Sequence, residues 1–431
     1  MTTFQIWSGI ETIGGNIAEI STHQARVICD FGLSGGANKD QPLENLTDLE
    51  STLVEGKLPQ IPGLFDTSDF QTIQLAGVEN QELKQAIFIS HLHIDHMGGL
   101  KFLPAEVEVY LTKDSLTLYE ALIEVGDEVA PVAKLHGVDY GEVVRIGDIQ
   151  VFFQESDHDI KGIAGIFIQT PEAKFVHTGD FRLTGYHPEK VDQLVEAINH
   201  FEPDYVFIEG TSFSFDVEED RITSEADLLD DLKKGLTEYA NDLIVFNPYM
   251  RNVERIHYFN QAAKVVGRQL VLEPAYAKVY QAFYPDVDFL ILSGDLSNDV
   301  GSSLENKPGY ISLRSLKKDP ELYLLQNAFE NISILADLKP AIYLHTNGEP
   351  IGEYMLAYSQ MIAYLQSIDI PFVSFGVSGH ANQTDLLYIA NRIRTKNIIP
   401  WHTFKPDYYG KLIANLGLQV VYPKYKKSYI V

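Results

Sequence analysis

The stretch His91-Leu92-His93-Ile94-Asp95-His96-Met97-Gly98-Gly99 places three imidazoles and one carboxylate close together in the chain. It follows the apolar run 86–90, which predicts a short buried strand. Side chains two positions apart share a face of an extended chain, so the first two histidines should point the same way. If a helix follows, the aspartate and the third histidine can face a second position nearby. Imidazole and carboxylate ligands suit zinc, so the stretch predicts a metal site; a polar loop without metal is the simpler alternative.

Three later residues could complete such a site, because four ligands on one loop cannot fill two metal positions. His158 follows a strand and lies between two aspartates, Asp180 lies on a turn after another strand, and His402 follows the β-rich run 398–401. Asp180 is the stronger candidate, because a carboxylate on a turn after a strand can bridge two cations; a turn-capping aspartate is the simpler alternative. Taken alone, His158 could be a surface residue and His402 is ambiguous.

The composition is typical of a soluble globular protein with two domains. The chain has 431 residues, of which 45% are hydrophobic and 22% are charged. The sequence contains no apolar run long enough to span a membrane, and residues 1–7 lack the features of a signal peptide. The single cysteine, Cys29, excludes a disulfide within this sequence and a cysteine-rich zinc site, and we expect it to be buried. The cytoplasm is therefore the expected compartment.

The net charge of −27 argues against a general affinity for polyanions such as nucleic acids. The charge is unevenly distributed, since residues 391–431 contain eight Lys and Arg residues against one acid, Asp407. This local excess of seven positive charges is either a binding footprint or a solvated surface.

Hydrophobic periodicity predicts a mixed α/β organisation in two parts. Early strands at 10–20 and 26–32 would form a hairpin, and the polar segment 35–80 would be a long excursion that could serve as a lid. Short strands and helices follow, up to a buried strand that ends at Glu209. From about residue 210, helices alternate with apolar strands, which predicts a parallel α/β unit. These strands are expected at 243–246, 269–272, 289–292, 341–344 and 371–375.

The pattern His-x-His-x-Asp-His-x-Gly-Gly resembles the first metal motif of the metallo-β-lactamase superfamily. Glu209 and the segments Ser378-Gly379-His380-Ala381 and Pro400-Trp401-His402-Thr403 resemble three further motifs of its β-CASP group, a nucleic-acid-processing branch. Within that group the chain resembles the ribonuclease J family, in which 14–16, 252–256 and 347–350 have counterparts. Two features depart from that family. Arg251 stands where a serine is usual, and the sequence stops without the C-terminal domain that those chains usually carry.

The resemblance implies a role for each candidate side chain. The seven metal ligands would be His91, His93 and His158 for one zinc ion, Asp95, His96 and His402 for the other, and Asp180 between them. Asp30 would support the metal site from outside the ligand set. The catalytic residues would be Asp95, His380 and Glu209, with His380 contacting the scissile phosphate or assisting the leaving group. The substrate-binding residues would be Ser378, Gly379, Asn252 and Arg255, whereas His177, His257 and His345 match no ligand position.

The implied architecture is an αββα sandwich built from residues 1–209 and 379–431, with a β-CASP α/β domain inserted at 210–378. The implied activity is zinc-dependent cleavage of single-stranded RNA by a water activated between two zinc ions, with manganese as an alternative metal. Two other functions remain open. One is hydrolysis of a small ester, thioester or lactam, which an acidic surface suits better; the other is RNA binding without catalysis. RNA is the expected partner, no membrane is expected, and a homodimer is an open alternative.

Overall fold

The computed structural model describes residues 1–35, 46–216, 223–293 and 309–431, and within these ranges the chain forms three sheets. The first sheet has seven strands, six of them from the beginning of the chain. These six are β1 (Thr3–Ser8), β2 (Ile17–Ser21), β3 (Ala25–Cys29), β4 (Lys84–Phe88), β5 (Glu108–Thr112) and β6 (Lys134–Val138). β1, β2 and β3 are antiparallel neighbours, whereas β3 to β6 run parallel.

The second sheet has six strands and packs against the first. Five of its strands are β7 (Val144–Ile146), β8 (Ile149–Glu155), β9 (Ala164–Gln169), β10 (Lys174–His177) and β11 (Tyr205–Glu209). Apolar side chains from both sheets fill the space between them, as Phe88 and Phe153 show with ring centroids 5.9 Å apart. Cys29 is buried in this core, as expected.

The third sheet contains seven strands, all in parallel pairings. They are β12 (Ile244–Pro248), β13 (Gln269–Leu272), β14 (Leu290–Ser293), β15 (Tyr310–Ser312), β16 (Tyr323–Gln326), β17 (Ile342–Thr346) and β18 (Phe372–Ser374). Their spatial order, β15–β14–β13–β16–β12–β17–β18, requires crossover connections, and apolar clusters cover both faces. The predicted parallel α/β unit is thus confirmed.

The chain then returns to the first two sheets. β19 (Asn397–Trp401) pairs in parallel with β11, and β20 (Ser428–Ile430) pairs with β1. Trp401 is the register partner of Glu209, so His402 follows β19 at the sheet edge where β11 also ends. This return places late residues beside early ones, while the exact domain boundaries stay a prediction.

Helices connect the strands, and most of them pack on the sheets. They are α1 (Asp48–Val54), α2 (Ile94–Met97), α3 (Lys113–Val125), α4 (Pro188–Phe201), α5 (Glu225–Glu238), α6 (Val253–Val265), α7 (Pro274–Phe283), α8 (Leu313–Lys318), α9 (Leu335–Leu338), α10 (Leu356–Ser367), α11 (Gln383–Arg392) and α12 (Pro406–Asn415). α3 packs on the first sheet, and α4, α11 and α12 pack on the second, which gives the predicted αββα layers. Across the described ranges, no helix combines the length and apolar character needed to cross a membrane.

Several local predictions are wrong in detail. The predicted strand 10–20 is a strand only from Ile17, because three glycines within 9–15 turn the chain through positive φ. The strand predicted at 26–32 ends at Cys29, and Asp30 follows it with a φ of 59°. The described part of 35–80 is no lid, since Leu58 and Phe65 belong to the hydrophobic core; residues 36–45 lie outside the described ranges. The sequence also fails to predict β16, the central strand of the third sheet.

Candidate metal centre

The segment 89–97, which we call the metal loop, follows β4 and includes α2. The chain after β3 holds it in place: the backbone N–H groups of Phe31 and Leu33 donate to the carbonyls of His96 and Ile94 at 2.7 and 3.1 Å. Between them, Gly32 lies so close that a Cβ would be 1.6 Å from a carbonyl oxygen of the metal loop. Only glycine allows this approach, so the position of the loop depends on a neighbour without a side chain.

The first ligand group contains His91, His93, His158 and Asp180. His93 Nδ1 lies 3.0 Å from His91 Nε2 and 3.1 Å from His158 Nε2, and His91 Nε2 lies 3.6 Å from Asp180 Oδ2. Three histidines on the metal loop and after β8 therefore direct one nitrogen each toward a common point.

The second group contains Asp95, His96 and His402. Asp95 Oδ2 lies 2.8 Å from His402 Nε2 and 3.7 Å from His96 Nε2. Asp180 Oδ2 also lies 3.2 Å from His96 Nε2 and 3.8 Å from His402 Nε2. One carboxylate oxygen is thus within 4 Å of nitrogens from both groups, which is the placement that a bridging ligand needs.

The chemistry of this cluster fits two divalent cations. Ligand atoms about 2.0–2.2 Å from a tetrahedral metal lie about 3.3–3.6 Å from each other. The distances in the cluster, from 2.8 to 3.8 Å, lie on both sides of that spacing. Asp180 Oδ2 is buried and has no hydrogen-bond donor among the described residues, so a cation would supply its missing partner. Without a cation, several imidazole nitrogens would face one another in a buried space, which is unfavourable.

Each histidine also has a partner on its other ring nitrogen, which fixes the ring orientation. His96 Nδ1 donates to Asp30 Oδ2 at 2.7 Å, and His91 Nδ1 lies 3.0 Å from Ser90 Oγ, which itself donates to Asp30. His158 Nδ1 donates to the Gly379 carbonyl, and His402 Nδ1 lies 2.6 Å from Thr211 Oγ1. His93 Nε2 lies 3.4 Å from Asp159 Oδ1. Such outer partners are characteristic of histidines that bind metals.

The protonation states of His91, His158 and Asp180 suit cation binding. Burial lowers the pKa of His158 to about 3 and holds that of His91 well below its usual value. Burial would raise the pKa of Asp180, but the adjacent His402 and His96 hold it well below the usual value. Neutral imidazoles and ionised carboxylates are the forms that coordinate metals. Burial would lower the pKa of His96, but Asp180, Asp95 and Asp30 raise it well above its usual value, so a cation would have to displace a proton from this ring.

His380 lies at the edge of the cluster, on the segment between β18 and α11. Its Nδ1 is 3.5 Å from Glu209 Oε2 and 3.6 Å from Asp180 Oδ2. Burial would lower its pKa, but the carboxylate of Glu209 outweighs burial and raises the pKa to about 9. Glu209 is itself held by the backbone N–H groups of Phe181 and Thr211, at 3.1 and 3.2 Å. His380, with 23% of its side chain exposed, thus lies beside the predicted metal ligands with a pKa that favours the protonated ring.

The four residues predicted to bind substrate differ in accessibility. Ser378 is exposed and its Oγ accepts from the His380 backbone N–H, while the Gly379 carbonyl holds His158. Asn252 and Arg255 are buried: Asn252 caps α6, and Arg255 donates to Glu225 and to the carbonyls of 346 and 377. This burial argues against a direct substrate contact for either residue, and we leave both out of the proposed substrate contacts below.

Some contributors to the centre have no signal in the sequence. Thr211 Oγ1 contacts His402 across 191 positions, and Asn16 Nδ2 lies 3.1 Å from His96 Nε2 across 80. His177 lies 3.4 Å from Asp30, although it matches no ligand position. Arg251 donates to the Leu92 carbonyl on the metal loop. The resemblance had singled out the segment of Asn16 and the position of Arg251, but it predicted none of these contacts. Long-range pairing of this kind depends on the complete fold.

Comparison with known proteins shows what this chain resembles. A model of the beta-lactamase superfamily domain matches residues 65–222. Ribonuclease J 2 of Streptococcus pyogenes is 23% identical over 337 residues, covering 75% of this chain and 60% of the relative. Ribonuclease J of Thermus thermophilus is 22% identical over 357 residues, covering 75% and 59%. Ribonuclease J of Mycoplasma genitalium is 22% identical over 440 residues, covering 96% and 70%. The matched region therefore spans less than two thirds of the first two relatives.

One solved structure matches over the full length of both chains. It is a crystal structure of a protein of unknown function from Enterococcus faecalis, with a TM-score of 0.84 and 27% sequence identity. The architecture described above is therefore shared by a second protein from end to end.

Proposed function

Because the chain is a ribonuclease J-like member of the metallo-β-lactamase superfamily, we propose that it is a zinc-dependent phosphodiesterase that cleaves single-stranded RNA. The observation that carries the proposal is the position of Asp180 Oδ2, within 4 Å of histidine nitrogens from both ligand groups. A carboxylate in this position can hold two cations close together, and paired cations suit the in-line displacement at a phosphodiester.

In this proposal the seven clustered side chains hold two metal ions: His91, His93, His158, Asp95, His96, His402 and Asp180. Two bound divalent ions would supply Lewis acidity and lower the pKa of water for attack on the phosphate. Asp30, Ser90 and Thr211 keep the imidazoles oriented with their ligand nitrogens toward the cluster. The proposal includes the domain arrangement, with 210–378 as a β-CASP insert between 1–209 and 379–431.

His380 is the proposed proton donor. Its Nδ1 faces Glu209 and Asp180, so Nε2 is the ring nitrogen left for the substrate. Glu209 favours the charged ring, and the charged ring can hydrogen-bond a phosphate oxygen or give its proton to the leaving oxygen. The neighbouring Ser378 is exposed and can contribute a hydroxyl to the same phosphate.

The test is His380→Ala, measured for metal content and RNA cleavage on the same preparation. We expect about two metal ions per chain to remain, and cleavage to fall roughly a hundred- to thousandfold, as for loss of one donor to developing charge. His200→Ala, on the exposed side of α4, is the matched control and should change neither quantity.

Substrates chosen for this test also separate the second candidate function. The net charge of −27 favours a small substrate over a polyanion. Labelled RNA with and without a 5′ phosphate should therefore be compared with a small thioester and a lactam. Undiminished RNA cleavage by His380→Ala would contradict the role assigned to His380. Turnover of the small substrates alone, without RNA cleavage by the wild type, would contradict the phosphodiesterase proposal and favour small-ester hydrolysis.

A further inference from the structure

Three exposed aromatic side chains lie within six positions along the chain of Glu209 or His402, and we call them the aromatic rim: Phe215, Phe404 and Tyr408. Their exposed fractions are 57%, 51% and 52%, which is high for residues that proteins usually bury. The Phe215 and Phe404 rings stand edge to face with centroids 6.5 Å apart, so both keep a face open. Clustered exposed aromatics of this kind mark binding surfaces.

The aromatic rim is tied directly to the segments that carry the metal centre. Phe404 follows His402 by two positions, and its backbone N–H donates to Ser214 Oγ at 2.9 Å. Gln383, three positions after His380, donates through Nε2 to the carbonyls of Ser212 and Phe215 at 3.0 and 3.2 Å. The rings therefore lie on the segments that continue from His402 and that are bonded to the helix following His380.

The surface at the aromatic rim is a shallow depression of about 360 Å³ with little net charge. It is lined by Phe213, Phe215, Asp216, Gln383, Lys405 and Tyr408. Asp216 Oδ1 lies 4.0 Å from Lys405 Nζ, so the positive charge beside the rings is offset by a carboxylate. This surface offers flat apolar faces and has little attraction for phosphate.

We propose that the aromatic rim stacks the unpaired bases of an RNA strand whose backbone phosphate lies at the metal centre. This inference rests on the proposed function and specifies how its substrate is held. Every base has a flat π-face, so aromatic side chains bind single strands with little sequence preference. The inference is also compatible with the net charge of −27, which repels RNA phosphates. Base stacking supplies binding free energy that does not depend on attraction between charges.

A specific consequence concerns salt. For single strands, log Kobs falls with log salt with a slope of about −0.7 for each phosphate neutralised. If stacking supplies most of the affinity, the slope should be no steeper than about −2, equivalent to about three phosphate contacts. A strongly charge-driven site would show a much steeper slope.

The experiment compares wild type with Phe404→Leu and Phe215→Leu, which keep an apolar side chain but remove the ring. Each holoenzyme is assayed for metal content, for kcat and KM on labelled oligouridine, and for the Ki of an abasic ribose–phosphate oligomer as competitor. We expect KM to rise about five- to a hundredfold, as for loss of one stacked base. The kcat, the metal content and the Ki of the abasic oligomer should stay unchanged, because none of them depends on stacking.

Tyr388→Leu is the matched control, since Tyr388 is 53% exposed on α11 and packs against Arg392. It should leave KM unchanged. An unchanged KM in both rim variants would overturn the inference while leaving the RNA assignment standing. A change from dimer to monomer with unchanged KM would also overturn it and identify the rim as a contact between two copies of this chain. Wild type that cleaves no RNA would remove the proposed function and this inference together.

Discussion

Replacing Asp30 with asparagine should weaken metal binding although Asp30 contacts no metal position directly. Oδ1 accepts from the Ser90 N–H at 2.7 Å, and Oδ2 accepts from Ser90 Oγ at 2.9 Å and from His96 Nδ1 at 2.7 Å. Asparagine has the same shape and also tolerates the left-handed backbone, which has a φ of 59° here. The substitution therefore changes hydrogen bonding and charge without disturbing the local chain.

The expected magnitude follows from the His96 tautomer. The introduced asparagine would place an NH₂ group, a donor, where the Nδ1–H of His96 now donates. To accept from this amide, His96 would have to move its proton to Nε2, the nitrogen that faces Asp180 and the second metal position. Loss of the group that hydrogen-bonds the non-ligating nitrogen of a metal-binding histidine typically lowers metal affinity about 10- to 100-fold, or about 1.4–2.7 kcal/mol. We expect a loss in this range at the position held by Asp95, His96 and His402.

The assay is a competition titration of metal against a chromogenic chelator at fixed pH, with circular dichroism to verify folding. Asp204→Asn is the matched control, because Asp204 accepts from the Lys174 N–H at 2.9 Å in the second sheet, outside the metal cluster. The control should bind metal as wild type does. An unaltered metal affinity in Asp30→Asn would refute the orienting role that we assign to this carboxylate.

Three further outcomes are expected. Asp180→Ala should lower the metal content by more than one ion per chain in elemental analysis, because one carboxylate offsets the repulsion between both cations. Glu225→Ala should lower the free energy of unfolding by about 3–5 kcal/mol in denaturant titrations, because it leaves the buried Arg182 and Arg255 without their carboxylate partner. The control Glu238→Ala, at an exposed position, should change it by less than about 0.5 kcal/mol. Burial raises the pKa of Glu273 from 4.5 to about 7, so the folded protein binds this proton more tightly than the unfolded chain does. The free energy of unfolding of the wild type should therefore fall as the pH rises from 4.5 to about 7. Glu273→Gln, which cannot ionise, should lack this loss of roughly 3 kcal/mol in unfolding free energy, and its Tm should vary less with pH than that of the wild type.

The parts of the fold that the sequence predicted are those encoded locally. Ligands such as His91 and Asp180 directly follow apolar strands, and parallel strands end at one sheet edge, so their convergence could be expected before the structure was known. The ligand roles themselves stay predictions. β16 was missed because its sequence, Tyr-Leu-Leu-Gln, has no β-branched residue and two helix-forming leucines, unlike β13 and β14 of the same length. Its central place depends on β12 and β13 on either side.

Arg255 shows why side-chain roles were harder to predict than strands. In the sequence it is a cation within a helix, for which solvent exposure is the usual state. In the structure it is fully buried, and Glu225, thirty positions earlier, accepts from its Nε at 3.1 Å. Local patterning cannot reveal this pairing, because it forms only when α5 and α6 pack together.

The same buried charges connect the insert to the metal centre. Arg182, two positions after Asp180, donates to the Ser378 carbonyl at 3.1 Å and pairs with Glu225 at 2.9 Å. Glu225 in turn holds Arg255, which donates to the carbonyl of Val377 at 3.2 Å. Arg182 and Arg255 thus both bind the segment that leads to His380, and both pair with the same carboxylate, that of Glu225. Removing one partner leaves a buried charge unpaired, so this junction resists partial opening. Proper placement of His380 therefore requires the folded insert, and the sandwich alone should retain metal ligands but not the complete site.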